Sequence, residues 1–125
     1  MTLAGRKTIA VIDDDSLMLQ ALTRLLKAQG FDVRAYSTAQ AFMDGDAANE
    51  VDCLVLDIGL TGMSGIELAQ RINADGSAVP VVFITGLNTE EVQAEAMKTG
   101  CIAYLRKPFP AARLLEAIEK AILGS

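Results

Sequence analysis

Two runs in this chain, Leu54-Val55-Leu56 and Val81-Val82-Phe83-Ile84, are apolar at every position. A strand with one wet face alternates apolar and polar residues, so runs like these demand cover on both faces. They belong to a series of five short segments: Thr8 to Ile12, Val33 to Tyr36, Cys53 to Leu56, Val81 to Ile84 and Ile102 to Leu105. Longer amphipathic stretches separate them. Leu19, Leu22, Leu25 and Leu26 make one helical stripe, which Gly30 can end as a left-handed residue. Ser64, with Glu67 three residues on, reads as a capping box opening a helix through Ile66, Leu68 and Ile72. Asn88 or Thr89 caps a helix to Lys98 that Gly100 ends, and Leu114, Leu115, Ile118 and Ile122 form the stripe of the last helix. Ser37 to Met43 carries the weakest helical pattern, and Asp44 to Asn49 reads as loop.

Five strand–helix units with short connections predict an α/β fold: a doubly wound, five-stranded parallel sheet with helices on both faces. The common order for such a (βα)5 chain is 2-1-3-4-5, the flavodoxin-like arrangement. The length of 125 residues suits one domain over 1–125, with a folded core from about residue 7 to 123. A signal peptide or membrane span is not expected, because Ile9 to Ile12 runs straight into three aspartates. Net charge of −5 argues against this domain gripping a phosphate backbone itself. Cys53 and Cys101 each adjoin an apolar run without CxxC spacing, which predicts buried, reduced thiols and a cytoplasmic address. The chain has no histidine, which removes the usual proton shuttle, the usual zinc ligand and any internal phosphohistidine.

In open parallel sheets, ligands bind beyond the carboxyl ends of the strands, where the strand order reverses. Here the predicted strands end in Asp13-Asp14-Asp15, Asp57, Thr85 and Lys107. Asp15 or Ser16 serves as a helix cap. Three acids in a row exceed what a cap needs, and they repel unless a cation compensates them. Magnesium takes hard oxygen ligands and keeps several waters. Asp13 or Asp14, Asp57 and one backbone carbonyl just past Asp57 could supply it. A carboxylate is also a competent nucleophile towards phosphorus, and such transfer needs positioning and charge neutralisation more than a base. Lys107 is the candidate cation and Thr85 the candidate hydrogen-bond donor to a phosphoryl oxygen; alone, each is an ordinary surface lysine or strand-end hydroxyl. A cis Lys107–Pro108 bond in a tight turn could aim the lysine inward. The plainer alternative is a loop leading into the last helix, since Pro110 suits a first helical turn.

Six segments, in order and at matching spacing, are similar to a known family. They are Ala10-Val11-Ile12-Asp13-Asp14-Asp15, Leu54-Val55-Leu56-Asp57, Met63-Ser64-Gly65-Ile66-Glu67-Leu68, Val82-Phe83-Ile84-Thr85-Gly86, Ala96-Met97-Lys98-Thr99-Gly100 and Tyr104-Leu105-Arg106-Lys107-Pro108-Phe109. Over essentially its whole length the chain resembles the receiver domain of bacterial two-component response regulators. The resemblance implies that Asp57 accepts a phosphoryl group from a histidine kinase or a histidine phosphotransfer protein. Asp13, Asp14, Asp57 and the Gly59 carbonyl would hold Mg2+, with Mn2+ as a substitute. Thr85 and Lys107 would contact the phosphoryl group, while Tyr104 turns inward. The face formed by the fourth helix, fifth strand and fifth helix would then change its preference for a downstream effector, or for a second copy in a phosphorylation-linked homodimer. Such a domain is a phosphoacceptor, not an enzyme with an external substrate. Both a stand-alone receiver and the amino-terminal part of a larger regulator fit the resemblance, and a DNA-binding effector domain rests on family analogy alone.

Three departures stand out. Family members often carry proline where this chain has Thr61, which predicts a less rigid loop after Asp57. Gly59 and Leu87 flank the phosphoryl site without a polar side chain to orient water, which predicts slow or unremarkable autodephosphorylation. Cys101 replaces a commoner alanine, read as packing. Rival readings fare worse. An aspartyl-nucleophile phosphatase wants an acid two positions after the nucleophile, where Gly59 stands. A nucleotide-binding turn wants glycines where three aspartates stand. A calcium loop from Asp13 fails at Leu17 and Met18. A degenerate, unphosphorylated receiver keeps the same residues and is separated only by experiment.

Overall fold

The five strands lie parallel in the order β2-β1-β3-β4-β5: β1 Thr8–Ile12, β2 Asp32–Tyr36, β3 Cys53–Asp57, β4 Val81–Thr85 and β5 Ala103–Arg106. A helix follows each: α1 Ser16–Ala28, α2 Ala39–Met43, α3 Gly65–Ala74, α4 Glu90–Lys98 and α5 Ala111–Leu123. This computed structural model describes residues 6–45, 50–87 and 89–123. The expected topology therefore holds. Asn88 and most of the Asp44–Asn49 loop lie outside the described residues.

Pleating assigns the side chains of each strand to two cores. Ile9, Val11, Cys53, Val55, Val82 and Ile84 pack with Leu22 and Leu26 of α1 and Leu114 and Ile118 of α5. Ala10, Ile12, Leu54, Leu56 and Phe83 pack with Phe42 of α2, Leu68 and Ile72 of α3 and Ala96 of α4. Both faces of the central strands are thereby dry, as their unbroken apolar runs require. Burying a leucine or isoleucine of this kind is worth about 2 kcal/mol.

The caps follow local chemistry. Asp15 accepts from the Leu17 and Met18 amides, Thr38 from Ala41, Ser64 from Glu67 and Thr89 from Val92. The box at α3 is half formed, because Glu67 turns to Arg71 at 3.2 Å instead of back to its cap. Gly30 and Gly100 take φ of 95° and 79° at the ends of α1 and α4, a region where a side chain would be strained. The fifth strand sits one residue later than its apolar run, at Ala103–Arg106 instead of Ile102–Leu105. Pairing of Ala103 with Val82 and of Arg106 with Thr85 sets those limits, not hydropathy. β3 and β4 also extend by one residue, onto Asp57 and Thr85.

Cys53 is fully buried and free, and burial pushes its thiol up to about 12. Cys101 corrects the expectation of two buried thiols: it is only half-buried, with its sulfur 3.8 Å from that of Met97.

Candidate functional site: an acid cluster facing a lysine

Register brings the two acidic strand ends together. Ile9 pairs with Cys53 and Val11 with Val55, so the next outward step sets Asp13 level with Asp57 across the β1–β3 junction. That junction is where the strand order reverses. Asp13, Asp14 and Asp57 can each offer a carboxylate oxygen, all within 4.8 Å of one another. Asp13 is wholly buried, Asp57 nearly so, and Asp14 exposed.

Each acid is held by its own partners. Asp13 accepts from the Asp15 amide at 2.9 Å and from Lys107 Nζ at 2.9 Å. Asp57 accepts from the Gly59 amide at 3.1 Å and lies 3.5 Å from Lys107 Nζ. Asp14 accepts two hydrogen bonds from Thr61, through the amide at 3.1 Å and the hydroxyl at 2.9 Å. One lysine thus faces two buried acids, with a third at the rim. Burial raises the Asp57 carboxyl above its ordinary value, and repulsion from Asp13 adds to this against the opposing pull of Lys107. For Lys107, burial alone would lower the ammonium, but hydrogen bonds and charge from Asp13 and Asp57 outweigh it and leave it raised. The Lys107–Pro108 bond is cis.

Thr85 ends β4, Tyr104 lies two residues further back in the neighbouring β5, level with Phe83, and the two form a separate unit. Thr85 is wholly buried, and its Oγ1 accepts from the Leu87 amide at 2.8 Å. The Tyr104 hydroxyl donates to the Leu87 carbonyl at 3.1 Å. The backbone at Leu87 therefore joins the two side chains expected to move together. Among the described residues, no hydrogen bond links either of them to the carboxylates. Gly59 and Leu87 lie side by side next to Asp57: a Cβ on Gly59 would stand 3.7 Å from Leu87 Cδ1 and 3.9 Å from Asp57 Oδ1.

Two contributors escape a reading of the sequence. Thr61 registers there only as a missing proline, yet it is the partner of Asp14. Gly65 registers as part of a motif, yet a Cβ on it would stand 2.9 Å from the Asp57 carbonyl carbon and from Ile58 Cα. Only a residue without a side chain lets α3 start that close to the strand carrying Asp57. No spacing rule signals either contact.

The hard-oxygen donor set suits a magnesium ion, since three carboxylates converge and one lysine leaves their charge uncompensated. The family model described as response regulator receiver domain matches residues 9–119. The chain belongs to that family. Relatives include the transcriptional regulatory protein FixJ of Bradyrhizobium diazoefficiens, 41% identical over 98% of this chain and 58% of its own length. TdiR of Thauera aromatica is 32% identical over 92% of this chain and 51% of its own. Among solved structures, the response regulator StyR superposes with a TM-score of 0.87 at 38% identity, covering 94% of this chain and 60% of that one. The crystal structure of FixJ-N superposes with a TM-score of 0.84 at 32% identity, covering 93% of both chains. The receiver chain thus spans between half and three-fifths of the length of these curated relatives.

Proposed function

We propose that this receiver accepts a phosphoryl group on Asp57 from a histidine kinase or a histidine phosphotransfer protein. The observation that carries the reading is the convergence of Asp13, Asp14 and Asp57 within 4.8 Å, with Lys107 Nζ 2.9 Å from Asp13 and 3.5 Å from Asp57. With no histidine among these 125 residues, a phosphohistidine donor has to lie outside this stretch of sequence.

Asp13, Asp14, Asp57 and the Gly59 carbonyl would hold Mg2+ or Mn2+, which supplies positive charge to the phosphoryl oxygens when bound. Asp57 contributes a carboxylate oxygen that forms the new bond to phosphorus as the donor's phosphorus–nitrogen bond breaks. Its Oδ1 is steadied by the Gly59 amide, which leaves Oδ2, on the Lys107 side, as the attacking atom. Lys107 then pairs with the new phosphoryl oxygens, and the Thr85 hydroxyl leaves Leu87 to donate to them. Because Tyr104 shares Leu87 with Thr85, that movement reaches the surface formed by α4, β5 and α5. A new dianion shifts a two-state equilibrium only through contacts that differ between the states, and Thr85 provides one.

The output of this face is an effector or a second copy of the chain; since FixJ and TdiR are named transcriptional regulators, a transcriptional output is the effector proposed. With a net charge of −5, this domain is not itself the nucleic-acid contact. No helix among the described residues is long and apolar enough to cross a membrane, and the proposed location is the cytoplasm. Gly59 and Leu87 set no polar group beside Asp57, so the acyl phosphate decays slowly; complete loss of label within seconds in Mg2+ would refute this.

The deciding experiment is incubation with a small acyl phosphate and Mg2+, read by intact mass. One phosphate adduct is expected on the wild type and none on Asp57→Asn. An unmodified wild type would instead mark a degenerate receiver that acts only as an interaction domain. Sizing the two forms then tests self-association.

A further inference from the structure

We infer that Thr61 is a positioning residue of the cation site, holding the exposed carboxylate of Asp14 ready for the metal. The inference rests on the proposed role of the acid cluster. Asp14 differs from its two neighbours in having no buried anchor. Asp13 is fixed by Lys107 and the Asp15 amide, and Asp57 by Lys107 and the Gly59 amide. Among the described residues, Asp14 accepts hydrogen bonds from Thr61 alone, 47 positions away. An exposed aspartate beside two like charges would otherwise turn towards water, where its charge is better solvated.

Both donors of Thr61 fall on the same atom, Oδ2 of Asp14. The other oxygen is left without a hydrogen-bond partner among the described residues, which suits it to ligate a cation while Oδ2 stays held. The platform itself is pinned. Leu60, one residue before, is buried, and Ser64 caps α3 three residues after. α3 in turn sits against the β3 end at Gly65, whose amide donates to the Ile58 carbonyl at 3.1 Å. The carboxylate of the β1 terminus is thus fastened to the same loop that carries Gly59. A proline at position 61 would have neither the amide hydrogen nor the hydroxyl. Thr61 thus gives the loop two bonds to Asp14 that a proline there would lack.

The test is direct Mn2+ binding to the phosphate-free protein, followed by the electron paramagnetic resonance of free Mn2+. Thr61→Ser keeps both donors and should bind as the wild type does. Thr61→Val keeps shape and amide but loses the hydroxyl, and should bind about threefold more weakly; Thr61→Pro loses both and should bind about tenfold more weakly. Urea midpoints of each variant establish that the fold is intact, and Thr61→Val carries the test if Thr61→Pro does not fold. Hydrogen exchange at the Thr61 amide gives a readout without metal: it should quicken in Asp14→Ala. Equal or tighter binding by Thr61→Val would overturn the inference while leaving the site itself standing. Absence of Mn2+ binding by the wild type would instead overturn the site on which the inference rests.

Discussion

Asp57→Asn should stabilise the metal-free protein, although it removes the residue on which the proposed function depends. At an effective dielectric of about 20, Asp13 and Asp57 within 4.8 Å repel by at least about 3.5 kcal/mol. Lys107, 3.5 Å from Asp57, attracts by about 4.7 kcal/mol on the same scale. Asp14, exposed and screened by water, returns roughly the difference. The pairwise charges nearly cancel, so the penalty for burying the ionised group remains, on the order of 1–2 kcal/mol. An asparagine can keep the acceptor for the Gly59 amide without that charge. At a urea slope of about 1.5 kcal/mol per molar, the midpoint in EDTA should rise by about 1 M. Magnesium should reverse the order, since at about a hundred times its dissociation constant it adds about 2.7 kcal/mol to a protein that binds it. The pH dependence has a definite sign. The folded-state value of Asp57 lies above the ordinary 3.8, so the ionised group costs stability at neutral pH. Acidification through that raised value protonates the folded protein first, so the variant's advantage should shrink there. Urea titrations of both proteins, with EDTA and with Mg2+, provide the check. A variant less stable than the wild type without metal would refute the reasoning, because it would mean that Lys107 overcompensates the cluster.

Lys107→Met should do the opposite and destabilise by about 3 kcal/mol, since wholly buried Asp13 loses its cation; thermal unfolding without metal measures it. The lysine's folded-state value is raised above 10.5, so its contribution is full below that pH and disappears as pH rises through the raised value. Gly65→Ala should cost about 2–3 kcal/mol and reduce the phosphate adduct on Asp57, because the new Cβ drives into the backbone at Asp57 and Ile58; urea melts and intact mass read the two effects separately. Iodoacetamide at mildly alkaline pH should label Cys101 and spare Cys53, whose buried thiol sits near 12; peptide mapping of native and urea-unfolded protein tells them apart.

The alternation of short apolar runs with amphipathic stretches by itself determines most of this fold. A strand dry on both faces must be covered twice, and only a parallel sheet between two helical layers does that with connections this short. The same pattern left Asp13, Asp57, Thr85 and Lys107 at strand ends, so the members of the candidate site were legible too, as were Asp14 beside Asp13 and Tyr104 in the fifth strand. Other matters were settled only in three dimensions. Pairing, not hydropathy, set the limits of β5, because hydrogen-bond register depends on the neighbouring strand. Cys101 came out half-buried, because an apolar flank does not say how far a helix end covers it. Lys107 lies nearer to Asp13 than to Asp57, at 2.9 Å against 3.5 Å. The partners of Asp14 and the close approach at Gly65 join segments that no local pattern relates. Periodicity records which face each residue occupies; which charges share a lysine, and which loop clasps an exposed acid, depends on distances that exist only once the layers have packed.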